Sequence, residues 1–209
     1  MARALDVVGE RWALLVVREL LLGPKRFTDL QAGLHKAKPS VLSQRLRELE
    51  DAGVVRRRKL GPPAGAWVYE LTEDGQDLEP ILTALGHWGR RVPARPGAVH
   101  GSDSLVLALK SRFDPHAARG LRGSYELRLG EDRFQIEVGK GRIGARRGEP
   151  EAPDAVIETD PETLGTVLLD GRQLERAMDS GDMRIQGDRE LAARFLALYT
   201  QAERVDDVA

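Results

Sequence analysis

The segment VPARPGAVHGSD, Val92 to Asp103, most limits how this chain can fold. It holds two prolines and two glycines. Proline fixes φ and removes a backbone donor, and glycine is the costliest residue to order, so neither a helix nor a central strand passes through such a stretch. Patterned segments lie on either side. The chain is therefore predicted to form two domains, residues 1–92 and 104–209, joined by a linker over 93–103. At 209 residues there is enough chain for two small cores.

Charge divides the same way. The whole chain has a formal net charge of −1, which by itself suggests no polyanionic partner. Residues 1–97, however, carry 16 Lys+Arg against 12 Asp+Glu, and residues 98–209 carry 16 against 21. Between Lys25 and Lys59 there are 10 cations and 4 anions. Such an asymmetry points to one half that meets an anion and one that does not. There is no cysteine, which excludes disulfides, thiolate metal sites and thiol redox chemistry. Asp6, Glu10 and Arg11 interrupt any signal-peptide core, and no apolar run approaches the ~20 residues of a membrane span. A cytoplasmic protein without membrane contact is expected. His35, His87, His100 and His116 show no ligand spacing, and no nucleophile–base pair or carboxylate pair stands out. Nothing here calls for an enzyme, a metal or a cofactor.

In the first half, Trp12, Leu15, Val16, Glu19, Leu20 and Leu22 follow one helical stripe that Gly23–Pro24 ends. Thr28 and Gln31 have capping-box spacing for a short helix, TDLQAGL. A third helix is predicted from about Pro39 to Ala52, stopping at Gly53, with Leu42, Leu46 and Leu49 as its buried stripe. Strands follow at Val54–Leu60 and Ala66–Leu71 around a GPPAG tip, then a Thr72-capped helix near Glu73–Arg91 carrying Leu78, Ile81, Leu82, Leu85 and Trp88. The apolar stripe of the third helix leaves Ser40, Ser43, Gln44 and Arg47 on the opposite side. Arg pairs with guanine, Gln with adenine, and Ser with either or with phosphate. A helix fits the major groove. Arg56, Arg57, Arg58 and Lys59 would then grip a flanking phosphate and supply the salt-dependent part of the affinity. Alone, such a run is ordinary solvated surface. Its coincidence with the polar helix face and with this order of elements points instead to double-stranded DNA.

The second half is predicted to be an α+β domain, a sheet with one apolar face covered by helices. Leu105–Leu109 reads as helix. Tyr125, Leu127 and Leu129, then Phe134, Ile136 and Val138, alternate with polar residues as half-buried strands do. Ala155–Glu158 is another strand. Asp160–Pro161 caps a helix over ETLGTVLL; a helix at Gln173–Met178, a strand at Met183–Gln186 and a helix from Asp188 with Leu191, Phe195, Leu198, Tyr199 and Ala202 on one face complete it. GKGRIG, Gly139 to Gly144, fits G-x-G-x-x-G after a strand, but the ARRGEPEAP that follows cannot open a helix, so Gly139–Gly141 reads as a hairpin turn rather than a cofactor loop.

LDVVGERWALLVVRELLLGPKRFTDL, PSVLSQRLRELEDAGVV and YELTEDG resemble the HxlR-type winged-helix transcription regulators over about Leu5 to Arg91. The resemblance implies a homodimer on a pseudo-palindromic operator, with terminal helices in the dimer contact, Pro39–Ala52 as recognition helix and Val54–Leu71 as wing. Two departures stand out. Family members often carry a cysteine just upstream of the first helix, used by some as a redox or electrophile sensor; this sequence starts downstream of that point and has none. The residue before the helix-opening proline is often a small capping residue, and here it is Lys38, a cation where the helix dipole disfavours one. A DNA phosphate at Lys38 would offset that penalty.

The block AVIETDPETLGTVLLDGRQLERAMDSGDMRIQGDRELAARFLALY resembles the C-terminal part of a sterol-carrier-protein-type domain, a likeness running from about Ser104 to Tyr199. It implies a curved sheet and helices around an apolar tunnel. Phe134, Ile136, Met178, Met183, Phe195 and Tyr199 are then either plain core or the walls of a site for a hydrophobic small-molecule effector. The reading is a dimeric regulator, taken as a repressor by default, since blocking a promoter needs only occupancy. The alternative is a lipid or hydrophobic-ligand carrier whose first domain mainly dimerises. If Lys38 meets a phosphate, Lys38→Ser will flatten the salt dependence of operator binding, measured by fluorescence anisotropy across a salt series.

Overall fold

The computed structural model describes residues 1–89, 101–169 and 174–200. The chain divides into two compact units, Met1–Pro93 and Ala94–Ala209. Of the segment read as a linker, residues 93–100 lie outside the described ones. Ser102 and Asp103, assigned to it from sequence, instead open a helix and are buried.

The first unit runs α1 (Ala2–Val8), α2 (Ala13–Leu20), α3 (Phe27–Gly33), α4 (Pro39–Asp51), β1 (Val55–Lys59), β2 (Trp67–Leu71), α5 (Glu73–Gln76) and α6 (Glu79–Gly89). Its core is made of Val16, Val17, Leu20, Leu30, Leu42, Leu46 and Leu49, all at most 1% exposed. The third helix ends as its sequence requires. Gly53 takes φ +73°, the left-handed cap that glycine adopts without steric penalty. The Val54 N–H then donates back to the Leu49 carbonyl at 2.9 Å, turning the chain into β1.

Two expectations change. The short helix is capped at Arg26 and begins at Phe27, so its cap lies two residues earlier than the Thr28 box implied. The Asp29 carboxylate accepts from the Arg26 N–H at 3.1 Å, while Gln31 donates to the Ala37 carbonyl at 2.8 Å. The helix expected over Glu73–Arg91 is split into α5 and α6. Thr72 does cap it, accepting from the Gly75 N–H at 3.1 Å, but Pro80 has no N–H to continue the ladder across the junction.

An ion pair is sealed inside this unit. Lys25 Nζ lies 2.6 Å from Glu19 Oε2, with both side chains about 5% exposed, and Arg18 reaches Glu19 Oε1 at 2.7 Å. The Lys25 backbone exchanges two hydrogen bonds with Tyr69, at 3.0 and 2.8 Å, so the same residue fixes β2. A Cβ on Gly33 would stand 2.4 Å from Glu19 Oε2, so the close approach of α3 needs a glycine there.

The second unit runs α7 (Ser102–Arg112), β3 (Gly123–Leu129), β4 (Asp132–Gly139), β5 (Arg142–Arg147), β6 (Ala155–Thr159), α8 (Pro161–Leu169), α9 (Leu174–Asp179), β7 (Met183–Gly187) and α10 (Arg189–Thr200). The sheet order is β5-β4-β3-β6-β7, with β3 and β6 parallel and the other pairs antiparallel. Asp160 caps α8 through the Thr163 N–H at 2.9 Å, and Asp188 caps α10 through the Leu191 N–H at 2.9 Å. Ala202, placed on the last helix from sequence, lies outside the described residues. Strand β5 escaped the sequence reading. Its N-terminal turn is at Lys140 (φ +53°) and Gly141 (φ +69°), both left-handed as a tight two-residue hairpin prefers, so GKGRIG is a hairpin turn with the strand ends that flank it. Arg147 on β5 clamps Asp103 of α7 through two bonds at 2.9 Å and Asp132 at 2.7 Å.

Burial opposes ionisation of Glu19, yet the Lys25 charge and hydrogen bond, joined by Arg18, hold its carboxyl below the ordinary 4.5. Because the folded value is depressed, this contribution to stability is present above the unfolded pKa and is lost as pH falls below 4.5 through the folded value. Glu19→Ala is expected to cost about 3–5 kcal/mol by breaking the buried ion pair, and to remove that acid-dependent step from denaturant unfolding curves.

Candidate nucleic-acid interface

Helix α4 presents two unlike faces. Leu42, Leu46 and Leu49 are 0–1% exposed, and the opposite side carries Ser40, Gln44 and Arg47 in the open with Ser43 half-buried. The four polar residues expected to read bases therefore share one accessible face. Gln44 is held along it by a bond from its Nε2 to Glu48 Oε1 at 2.9 Å. Lys38 is the exposed N-cap residue of α4, with Pro39 in the first helical position and no side-chain cap.

Sequence reasoning passed over Arg45. It is 9% exposed, on the flank of the apolar stripe, and bonds to Glu48 and to Glu10, the latter at 3.5 Å. It ties the α1–α2 junction to α4. Its spacing three residues after Leu42 and one before Leu46 was the available signal.

The wing grows from the far end of α4. Besides the Val54–Leu49 bond, the Arg57 N–H donates to Glu50 Oε1 at 3.2 Å. The four consecutive cations do not act as one cluster, because a strand turns alternate residues to opposite faces. The ladder pairs Arg56 with Glu70, Arg57 with Tyr69, Arg58 with Val68 and Lys59 with Trp67. Arg56 and Arg58 bind the Glu70 carboxylate, each at a closest 2.7 Å. On the other face, the Arg57 guanidinium lies over Trp67 at 4.6 Å and Tyr69 at 6.0 Å from the ring centroids. Trp67 is 51% exposed. All four cations are exposed, but two share a carboxylate that counting charges in the sequence did not reveal. Pairing the predicted strands outward from GPPAG would have found it.

The six candidate effector residues sit in the second unit. Phe134, Ile136, Met183, Phe195 and Tyr199 are at most 2% exposed and Met178 is half-buried. The rings touch: Tyr125 stacks on Phe195 with centroids 4.5 Å apart, and Phe195 meets Tyr199 edge-on at 5.5 Å. Burial, then the Asp154 charge, pushes the Tyr125 phenol up to about 12. The hydroxyls of Tyr125 and Tyr199 are buried without a hydrogen-bond partner among the described residues. A groove of about 330 Å³ at the β4–β5 turn is lined by Arg122, Glu137, Lys140, Arg142 and neighbouring backbone, and by none of these six.

Comparison with known proteins divides the chain similarly. A family described as HxlR-like helix-turn-helix matches residues 7–95, and the SCP-2 sterol transfer family matches residues 106–199. The HTH-type transcriptional regulator YvaP of Bacillus subtilis is 40% identical over 86 residues, covering 41% of this chain and 80% of that protein. The Mycobacterium tuberculosis regulator Rv3095 is 40% identical over 96 residues, 46% of this chain and 60% of its own length. A solved structure of the reduced transcriptional regulator YodB from B. subtilis is 31% identical with a TM-score of 0.41, covering 47% of this chain and 95% of that one.

If the open face of α4 reads bases, Gln44→Ala and Arg47→Ala should each cost about 1–3 kcal/mol of operator binding and relax base preference at separate positions, as read by competition against single-base operator variants.

Proposed function

The chain belongs to the HxlR-like helix-turn-helix family of transcriptional regulators, and from this we propose that it binds a pseudo-palindromic operator as a homodimer and represses by occupying it. The observation that carries the reading is the open face of α4, Ser40, Ser43, Gln44 and Arg47, backed by a leucine stripe with no freedom to turn and followed by a cationic hairpin. Lys38 at the helix start, and Arg57 and Lys59 on the wing, supply phosphate contacts. Two such helices related by a two-fold axis fit half-sites about 34 Å apart, one helical turn, or a multiple of that.

The apolar surface of α6 supports the dimer. None of its residues is buried, and Ile81 is 55%, Leu85 45% and Trp88 61% exposed on one stripe. Leu5 on α1 is 56% exposed, and α1 likewise buries nothing. A monomer rarely leaves such faces to water.

The second unit adds control. Its match to a sterol transfer family supports a hydrophobic effector, held by the aromatic interior around Phe134, Phe195 and Tyr199. An effector that binds one dimer geometry better than another shifts the spacing of the two α4 helices, and operator affinity follows by linkage.

The test is mapping of DNA bound by the full chain, with native mass spectrometry of the same preparation. Enrichment of a two-fold symmetric sequence is expected. A co-purifying lipid with no enriched DNA would overturn the regulator in favour of a carrier. Ile81→Glu with Leu85→Glu is expected to give monomers in sedimentation at concentrations where the wild type is dimeric, and to weaken operator binding at least tenfold by loss of the second half-site contact.

A further inference from the structure

Glu70 stands opposite Arg56 in the β1–β2 ladder, and its carboxylate serves two guanidinium groups at once. Arg58 grips it through Nε, at 3.0 Å to each oxygen, and through NH2 at 2.7 Å; Arg56 Nε donates to Oε1 at 2.7 Å. The layering is specific. The Glu70 side chain is 11% exposed, whereas those of Arg56 and Arg58 are 65% and 43% exposed. The carboxylate lies beneath and the cations cover it. The Arg58 hydrogen bonds, against burial and with help from Arg56, hold the Glu70 carboxyl below its usual range.

On the other wing face nothing plays this part. Arg57 rests on Trp67 and Tyr69, ring faces that attract a cation without neutralising it. Glu50 accepts from the Arg57 backbone N–H, but neither the Arg57 guanidinium nor the Lys59 ammonium makes an ion pair among the described residues. The four-cation run therefore offers two uncompensated charges on one face. On the other, two guanidinium groups share one carboxylate, which occupies the Arg58 fork as a pair of phosphate oxygens would and leaves one net positive charge.

We propose that Glu70 is a specificity-determining residue, which competes with DNA phosphate for Arg56 and Arg58 and so restrains sequence-independent binding. The proposal rests on the DNA-binding reading above. Non-specific affinity comes from phosphate contacts and the counterions they release. A duplex held only by such contacts gains little by displacing a carboxylate that already fills the guanidinium fork. A duplex held in register by α4 presents its phosphate at a high effective concentration, and there the exchange becomes favourable. Base reading is thus linked to the wing's full grip, and the margin between operator and bulk DNA widens.

The test measures binding of the full chain to an operator, found by the mapping above, and to a scrambled duplex across a salt series. Glu70→Gln keeps the shape and removes the competing charge. It should steepen the scrambled-duplex salt slope by about one phosphate equivalent, raise that affinity about fivefold at physiological salt, and strengthen operator binding less. Both affinities falling together with an unchanged slope would overturn the proposal and leave Glu70 as a brace of the hairpin. A second comparison holds even if Glu70→Gln fails to fold. Arg57→Gln with Lys59→Gln should flatten the scrambled-duplex slope by about two equivalents, while Arg56→Gln with Arg58→Gln flattens it by about one, the single charge that Glu70 leaves uncovered. Equal flattening by both pairs overturns the competition. Wild-type protein that binds neither duplex overturns the DNA reading and this inference together; wild-type binding with equal flattening sinks only the latter.

Discussion

Three leucines on α4 govern the first unit. Leu42, Leu46 and Leu49 recur at helical spacing and are fully withdrawn from water, each stabilising the fold by about 1.5–3 kcal/mol. Burying them fixes the rotation of the helix about its own axis, so the polar side has one direction to face. The same helix end, closed by Gly53, aims the chain into β1 and sets where the wing begins. The buried Glu19–Lys25 pair completes the frame, since the Lys25 backbone carries β2 on its Tyr69 bonds. The polar face of α4, the wing and the bridge between them all trace back to this packing.

The two units satisfy their apolar residues differently. The second closes on itself: Tyr125, Phe134, Phe195 and Tyr199 are each at most 1% exposed, the rings of Tyr125, Phe195 and Tyr199 lie in contact, and Arg147 covers that of Phe134. The first leaves Leu5, Ile81, Leu85 and Trp88 uncovered on helices that bury nothing. A unit of this size has little core to spare. The stability of the first unit is therefore tied to whatever covers α1 and α6, and it will depend on protein concentration if that cover is a second copy.

Where periodicity and caps coincide, the sequence announces the structure. Leu42, Leu46, Leu49 and Gly53 delimit α4; Asp160–Pro161 and Asp188 open their helices; alternation at Tyr125–Leu129 and Phe134–Val138 gives both strands. Where long-range partners decide, it does not. Strand β5 has an irregular pattern, Arg-Ile-Gly-Ala-Arg-Arg, and exists because β4 offers it an open edge. Arg45 reads as surface, yet it is largely buried, with its guanidinium on Glu48 of its own helix and Glu10 of the α1–α2 junction. Arg56 to Lys59 read as a uniform charge run, and only the register with β2 divides it into a shielded pair and an open pair. Strand pairing was the missing knowledge in two of these three cases, and it is non-local by nature.

The composition of β5 has a bearing on solubility. It is the outermost strand of its sheet, with β4 on one side and no strand on the other among the described residues. Half of its six residues are arginine: Arg142, Arg146 and Arg147. An unpaired strand invites a like strand from a neighbouring molecule, which can start fibrous aggregation. Arg147 is held by Asp103 and Asp132, but Arg142 and Arg146 are exposed, and a second copy of β5 brought alongside would crowd these cations at strand spacing, which charge repulsion disfavours. The open rim of the sheet thus carries its own protection against stacking into filaments, independent of any ligand the unit holds.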